Sequence, residues 1–178
     1  MHMLKQEVVD IVTKLMPEHG DRMLEIGTGW GESAEFFSKL RPHWMVYTID
    51  GFGLYGDGRI YKQYEHYEML AINQKLGPNV IQILGDSARV PWELEIDALF
   101  IDGDHSLEGC MSDFSRYAPW VEAGGIIIFD DYNQPNNPNN GVRETVNLVL
   151  AAYDRYELVF EGYYCAVLKV NYKPHRKK

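Results

Sequence analysis

The sequence predicts an α/β fold: a mostly parallel sheet with helices packed on both faces, making a three-layer α/β/α sandwich. Three observations carry this. Short apolar runs alternate with amphipathic stretches along the 178 residues, and such alternation calls for crossover connections between parallel strands. One run, Ile126-Ile127-Ile128-Phe129, is apolar throughout, as suits a strand covered on both sides. Five of the runs end in an acid or a glycine cluster, which places the chemistry along one edge of the sheet.

The elements follow in order. Residues 3 to 16 put Leu4, Val8, Ile11, Val12 and Leu15 on one helical face, and Pro17 to Asp21 breaks the chain. Met23 to Ile26 reads as the first strand. The helix after it carries Ala34, Phe37 and Leu40 on one face, with Pro42 just past its end. Met45 to Ile49 is the second strand, and residues 60 to 76 read as a tyrosine-rich helix. Val80 to Leu84 and Ile96 to Ile101 are the third and fourth strands. Ser106 can cap a helix with Leu107, Met111, Phe114, Ala118 and Val121 inward, which Gly124-Gly125 would stop. Ile126 to Phe129 is the fifth strand. Gly141 to Tyr153 is a helix with Val142, Val146, Val149 and Leu150 inward. Tyr156 to Phe160 and Tyr164 to Val170 form a closing hairpin that must add one antiparallel strand.

Length bounds the chain to one domain over residues 1–178, with an N-terminal helix in 1–20 and a frayed basic tail at 172–178. The formal net charge of -9 argues against a nucleic-acid partner, because phosphate binding needs a basic face. It suits a site that holds a cation, although solubility alone would also account for it. Cys110 and Cys165 stand apart and suggest neither a disulfide framework nor a zinc site. The N-terminus lacks the apolar core of a signal peptide, and no apolar run has the length of a membrane span. A cytoplasmic setting is the expectation.

The acids at the strand tips are Glu25, Asp50, Asp86, Asp102 and the pair Asp130-Asp131. A single acid there can merely cap a turn. An acid at every tip of one edge points instead to a ligand. The first tip is Glu25-Ile26-Gly27-Thr28-Gly29-Trp30-Gly31-Glu32-Ser33. Its glycines let the backbone approach a ligand closely, and the following helix offers free N–H groups. A dinucleotide fingerprint would need glycine at position 32, where this chain has Glu32.

Glu25, Gly27, Gly29 and Gly31 resemble motif I of class I S-adenosylmethionine-dependent methyltransferases. The resemblance runs along nearly the whole chain. It implies a Rossmann-like sheet of seven strands in the order 3-2-1-4-5-7-6. It also implies that Glu25 and the turn Gly27, Thr28, Gly29 and Gly31 hold the methionine end of the cofactor. Ser33 falls where catechol-type O-methyltransferases place a serine on the cofactor carboxylate. Asp50, followed by Gly51, stands where the family's acid accepts both ribose hydroxyls, as an ionised carboxylate can. Asp86 and Ser87 match the segment lining the adenine, and Asp102 is expected among the cofactor-binding residues and in the catalytic centre.

Phe100-Ile101-Asp102-Gly103-Asp104-His105-Ser106 and Ile128-Phe129-Asp130-Asp131-Tyr132 are similar to signatures of small methyltransferases related to macrocin-type and catechol-type enzymes. That similarity implies a divalent cation held by Asp102, Asp130 and Asp131. Oxygen ligands select Mg²⁺ first, then Mn²⁺ or Ca²⁺. Catechol-type enzymes have Asn where this chain has Asp131, and turn capping by the two acids is the plain alternative. His105 lies three residues after Asp102, near the family's catalytic base, and an imidazole there could take the acceptor proton. Asp104 is a rival for that work, and a structural histidine at a helix start is the other reading.

The expected reaction is methyl transfer to a small polar acceptor such as a sugar or a phenol. Residues 51 to 67, with Phe52, Tyr55, Tyr61, Tyr64 and Tyr67, and the polar loop 133 to 140 could wall the acceptor, or simply pack. Arg59 and Arg143 could contact an anionic group. A second copy of the chain is a candidate partner. The rival readings are a metal-independent N- or C-methyltransferase, a nicotinamide-dependent oxidoreductase, and a non-catalytic cofactor-binding module.

Overall fold

The computed structural model describes residues 4–51, 72–133 and 140–172. Its seven strands are β1 (Arg22–Ile26), β2 (Met45–Asp50), β3 (Val80–Leu84), β4 (Ile96–Ile101), β5 (Val121–Asp130), β6 (Tyr156–Glu161) and β7 (Cys165–Val170). They form one sheet in the order β3-β2-β1-β4-β5-β7-β6. Parallel pairing joins β3, β2, β1, β4 and β5, while β7 runs antiparallel to both β5 and β6. The architecture is therefore the expected Rossmann-like three-layer sandwich.

Among the described residues, the helices α1 (Gln6–Leu15), α2 (Glu32–Leu40), α3 (Leu107–Tyr117) and α4 (Val142–Ala152) supply the outer layers. Alternation along β4 shows why its run from Ala98 to Ile101 is apolar on both faces. Leu99 and Ile101 join Phe114, Tyr117, Val142 and Val146 in the core beneath α3 and α4. Ala98 and Phe100 join Val8, Val12, Ala34 and Phe37 beneath α1 and α2. Each such side chain contributes roughly 1.5–3 kcal/mol by leaving water.

One boundary differs from the expected one. Helix α3 ends at Tyr117, a 3₁₀ turn covers Ala118–Trp120, and β5 begins at Val121. The buried Arg155 guanidinium donates to the carbonyls of Ala118 (3.5 Å) and Val121 (2.6 Å), accepting the role a further helical turn would have filled. Gly124-Gly125 thus lies inside the strand, in a bulge where residues 122–125 stand opposite Asp97 alone.

Of the tyrosine-rich segment, residues 72–75 are helical. Residues 60–71 of that expected helix, Arg59, the tyrosines between 52 and 71, most of the polar loop (134–139) and the tail 173–178 lie outside the described residues. Among the described residues no helix is long and apolar enough to cross a membrane.

Candidate active site at the carboxyl edge of the sheet

The glycine turn is wedged between the tips of two neighbouring strands. Gly27 N–H donates to the Ile49 carbonyl of β2 (2.8 Å), and Asp102 N–H donates to the Ile26 carbonyl (2.9 Å). Gly27 has φ +95°, and a Cβ there would collide with the Asp102 carbonyl. Only glycine fits that approach. Gly29 N–H donates to Asp50 Oδ2 at 2.9 Å, so the acid ending β2 also braces the turn. Among the described residues, a Cβ on Gly29 would meet nothing within 4 Å. Helix α2 starts at Gly31 without a side-chain cap, so its first N–H groups stay available.

Glu25 is fully buried beside this turn. Thr48, paired with it across β2, donates its hydroxyl to Glu25 Oε2 and sits 2.7 Å from the Thr28 hydroxyl. Glu25 Oε1 lacks a hydrogen bond of normal geometry. Burial pushes the Glu25 carboxyl up to about 8; the nearby hydroxyls of Ser33 and Thr48 oppose the rise, and the charges of Asp102 and Asp50 add to it. A buried carboxylate held only by hydroxyls fits a cationic ammonium group, which is what the methionine end of S-adenosylmethionine carries.

The loop after β3 is bound to the same edge. Gly85 N–H donates to the Asp50 carbonyl at 3.0 Å. Asp86 folds back on its own turn, accepting from Ala88 N–H (2.9 Å) and pairing with Arg89 (3.4 Å). Ser87 is gripped by α3: Tyr117 donates its hydroxyl to the Ser87 carbonyl at 2.6 Å. The buried Asp113, one turn earlier, interacts with the Ser87 side chain. Burial pushes Asp113 up to about 6, against the Ser87 hydroxyl.

Past the tips of β4 and β5, Asp102, His105 and Asp131 converge, with one potential ligand atom from each lying within 4.8 Å of the others. His105 Nε2 is 3.2 Å from Asp102 Oδ1, and Nδ1 is 3.6 Å from Asp131 Oδ2. Burial alone would lower the imidazole; the hydrogen bond and charge of Asp102, then the charges of Asp131 and Asp130, outweigh it and hold the ring above its ordinary value. Asp102 is raised by burial and eased by His105. Asp131 has φ +52°, a left-handed conformation that Asp tolerates better than most residues. Its carbonyl accepts from Asn140 at 2.7 Å. Asp130, ending β5, is 8% exposed, and among the described residues its Oδ1 has no hydrogen-bond partner. Burial, then the charges of Asp102 and Asp131, push it up to about 8. Among the described residues, the cluster therefore contains His105 where the sequence suggests Asp130. Asp104 is turned to its own loop, accepting from Ser106 N–H at 2.9 Å.

Sequence reasoning passed over Thr48 and Asp113. Thr48 was within reach, since a polar residue beside Glu25 in the neighbouring strand marks a buried pair. Asp113 had no comparable signal, because its partner is fixed only when α3 docks.

A family model described as "Methyltransferase domain" matches residues 24–132, from β1 through Asp131 and Tyr132. The chain belongs to this methyltransferase family. Its fold is that of the class I S-adenosylmethionine-dependent methyltransferases. The methyltransferase resembles CalS11, a TDP-rhamnose 3'-O-methyltransferase of calicheamicin biosynthesis, with 16% identity and a TM-score of 0.64 over 92% of this chain and 77% of that one. It resembles a candidate rRNA-methylase from Clostridium thermocellum with 13% identity and a TM-score of 0.70 over 98% and 99%. At such identities the likeness is one of fold. An uncharacterised protein of Acanthamoeba polyphaga mimivirus is 45% identical over 56 residues, 32% of this chain and 25% of that protein. The matched stretch thus spans about a quarter of that relative's length.

Proposed function

We propose that this methyltransferase passes the methyl group of S-adenosylmethionine to an oxygen of a small polar acceptor, a sugar, phenol or similar molecule, with the help of a divalent cation. The observation that carries the reading is the convergence of Asp102, His105 and Asp131 one strand from the glycine turn. The Asp102 backbone touches Gly27, so a cofactor on the turn and a cation in the cluster would share a wall. The printed activity of CalS11, O-methylation of a nucleotide sugar, supports an oxygen acceptor. The net charge of -9 favours a small acceptor over RNA.

In this reading Glu25 and the turn from Gly27 to Gly31 hold the methionine end, with Ser33 beside them. Asp50 with Gly51 takes the ribose, and Asp86 and Ser87 border the base. Asp102 and Asp131, with Asp130 next in the chain, would hold Mg²⁺ or Mn²⁺, a hard cation suited to carboxylates. Bound there, a cation would lower the pKa of an acceptor hydroxyl and help to aim it. His105 takes the acceptor proton at Nδ1, while Asp102 on Nε2 fixes the ring and balances the imidazolium. The transferable methyl is already activated on sulfur, so the protein's part is chiefly positioning.

The test is turnover after chelation. Removing divalent ions should abolish methyl transfer while S-adenosylhomocysteine still binds, and added Mg²⁺ or Mn²⁺ should restore it. Full turnover in metal-free protein would overturn the reading. That result would favour a metal-independent N- or C-methyltransferase, for which one feature already speaks: a protonated His105 between two carboxylates can supply positive charge without a metal.

A further inference from the structure

Glu7, in the first turn of α1, lies far from the strand tips in sequence, and its carboxylate is engaged by three consecutive backbone donors. Its Oε1 accepts from Tyr164 N–H (2.8 Å) and Cys165 N–H (3.3 Å), and its Oε2 accepts from Tyr163 N–H (3.2 Å). A run of such N–H groups is a concavity for an anion. Here the protein fills it with its own carboxylate. The approach depends on the β6–β7 turn: a Cβ on Gly162 would collide with Glu7 Oε1.

The other side of the same turn faces the proposed cation site. The Tyr164 carbonyl accepts from Tyr132 N–H (3.0 Å), and the Tyr163 carbonyl accepts from Asn133 N–H (3.1 Å). Those donors directly follow Asp131, whose left-handed backbone turns its carboxylate toward His105. The peptide groups of the β6–β7 turn are thus held between Glu7 and the Asp131 turn. Lys5, the N-cap of α1 two residues before Glu7, adds its ammonium over the Tyr164 ring at 5.3 Å.

We propose that Glu7 is a positioning residue for the Asp131 turn, so that α1 sets the geometry of the cation-binding carboxylates through the β6–β7 hairpin. This rests on the proposed cation site and extends it to a helix that contributes no group to the cluster. The chemistry predicts a graded series. In Glu7→Gln one amide oxygen can still accept, but the amide NH₂ faces a backbone N–H, donor against donor. In Glu7→Ala all three donors lose their partner.

The experiment measures three things on the full-length wild type and on E7Q and E7A: Mn²⁺ affinity, S-adenosylhomocysteine affinity, and hydrogen exchange at the Tyr132 and Asn133 amides. The expected result for E7Q is an Mn²⁺ affinity weakened about tenfold, as for other groups that orient a metal ligand. Nucleoside affinity should stay within about twofold, below the tenfold that 1.4 kcal/mol represents. Exchange at Tyr132 and Asn133 should quicken, and E7A should go further. Unchanged exchange with unchanged Mn²⁺ affinity overturns the proposal. So does an equal loss of metal and nucleoside binding, which would mark Glu7 as a general support of the fold. If the wild type itself binds no Mn²⁺, the cation reading fails, and the exchange measurement alone decides whether Glu7 holds the turn.

Discussion

Glu25 has no exposed surface, and its ordinary carboxyl value of 4.5 moves to about 8 because water cannot reach the charge. An unfolded chain sheds this proton as pH passes about 4.5, whereas the folded chain keeps it until about 8. The folded state therefore binds more protons across that window, and Glu25 takes stability away as pH rises through it. A ligand ammonium placed against its Oε1 would reverse the balance and drive the proton off. Calorimetry of S-adenosylmethionine binding near pH 7, in buffers of different ionisation enthalpy, should show proton release. In Glu25→Gln that release should vanish, and affinity should fall by about tenfold, the loss of a charged hydrogen bond. Identical heats in all buffers for the wild type would exclude Glu25 from the binding of the ammonium group.

At the scale of elements, Arg155 joins three parts of the chain. It donates to Ala118 and Val121, on either side of the 3₁₀ turn, and to the Tyr172 carbonyl (2.6 Å) beyond β7. Replacing it by Met would leave buried carbonyls without donors, each worth about 1–3 kcal/mol. Arg155→Met should lower the stability by about 3 kcal/mol or more by denaturant unfolding, with nucleoside affinity intact, because the clamp lies away from the strand tips. A midpoint equal to that of the wild type would remove Arg155 from the account. The same clamp explains why the start of β5 was illegible. Val121 fits the helical period of α3, and Gly124-Gly125 is a sound stop signal. What ends the helix earlier is a guanidinium from 34 residues further along. Elements whose limits rest on local periodicity, such as β3 and β4, could be read from the residues alone.

Over the whole molecule, position along one sheet edge was legible and orientation was not. The acids at the tips of β1, β2, β4 and β5 lie where alternation of strands and helices places them. That Asp131 turns toward His105 depends on a left-handed backbone at Asp131, held by Asn140 and by Tyr132 N–H bonding to the β6–β7 turn. No pattern of residue types within the strand encodes that. The insertion of β7 between β5 and β6 matters for the same reason, since it brings the hairpin against the Asp131 turn.

The closeness of Gly27 to the Asp102 carbonyl has a thermodynamic consequence. If nucleoside and cation bind as proposed, two guests separated by a single layer of backbone would each change the welcome given to the other. Such influence must be mutual: the factor by which Mn²⁺ alters S-adenosylhomocysteine affinity has to equal the factor by which the nucleoside alters Mn²⁺ affinity. Titrations of each with the other present and absent should return one common factor greater than one, and a factor of one would mean that the shared partition transmits nothing.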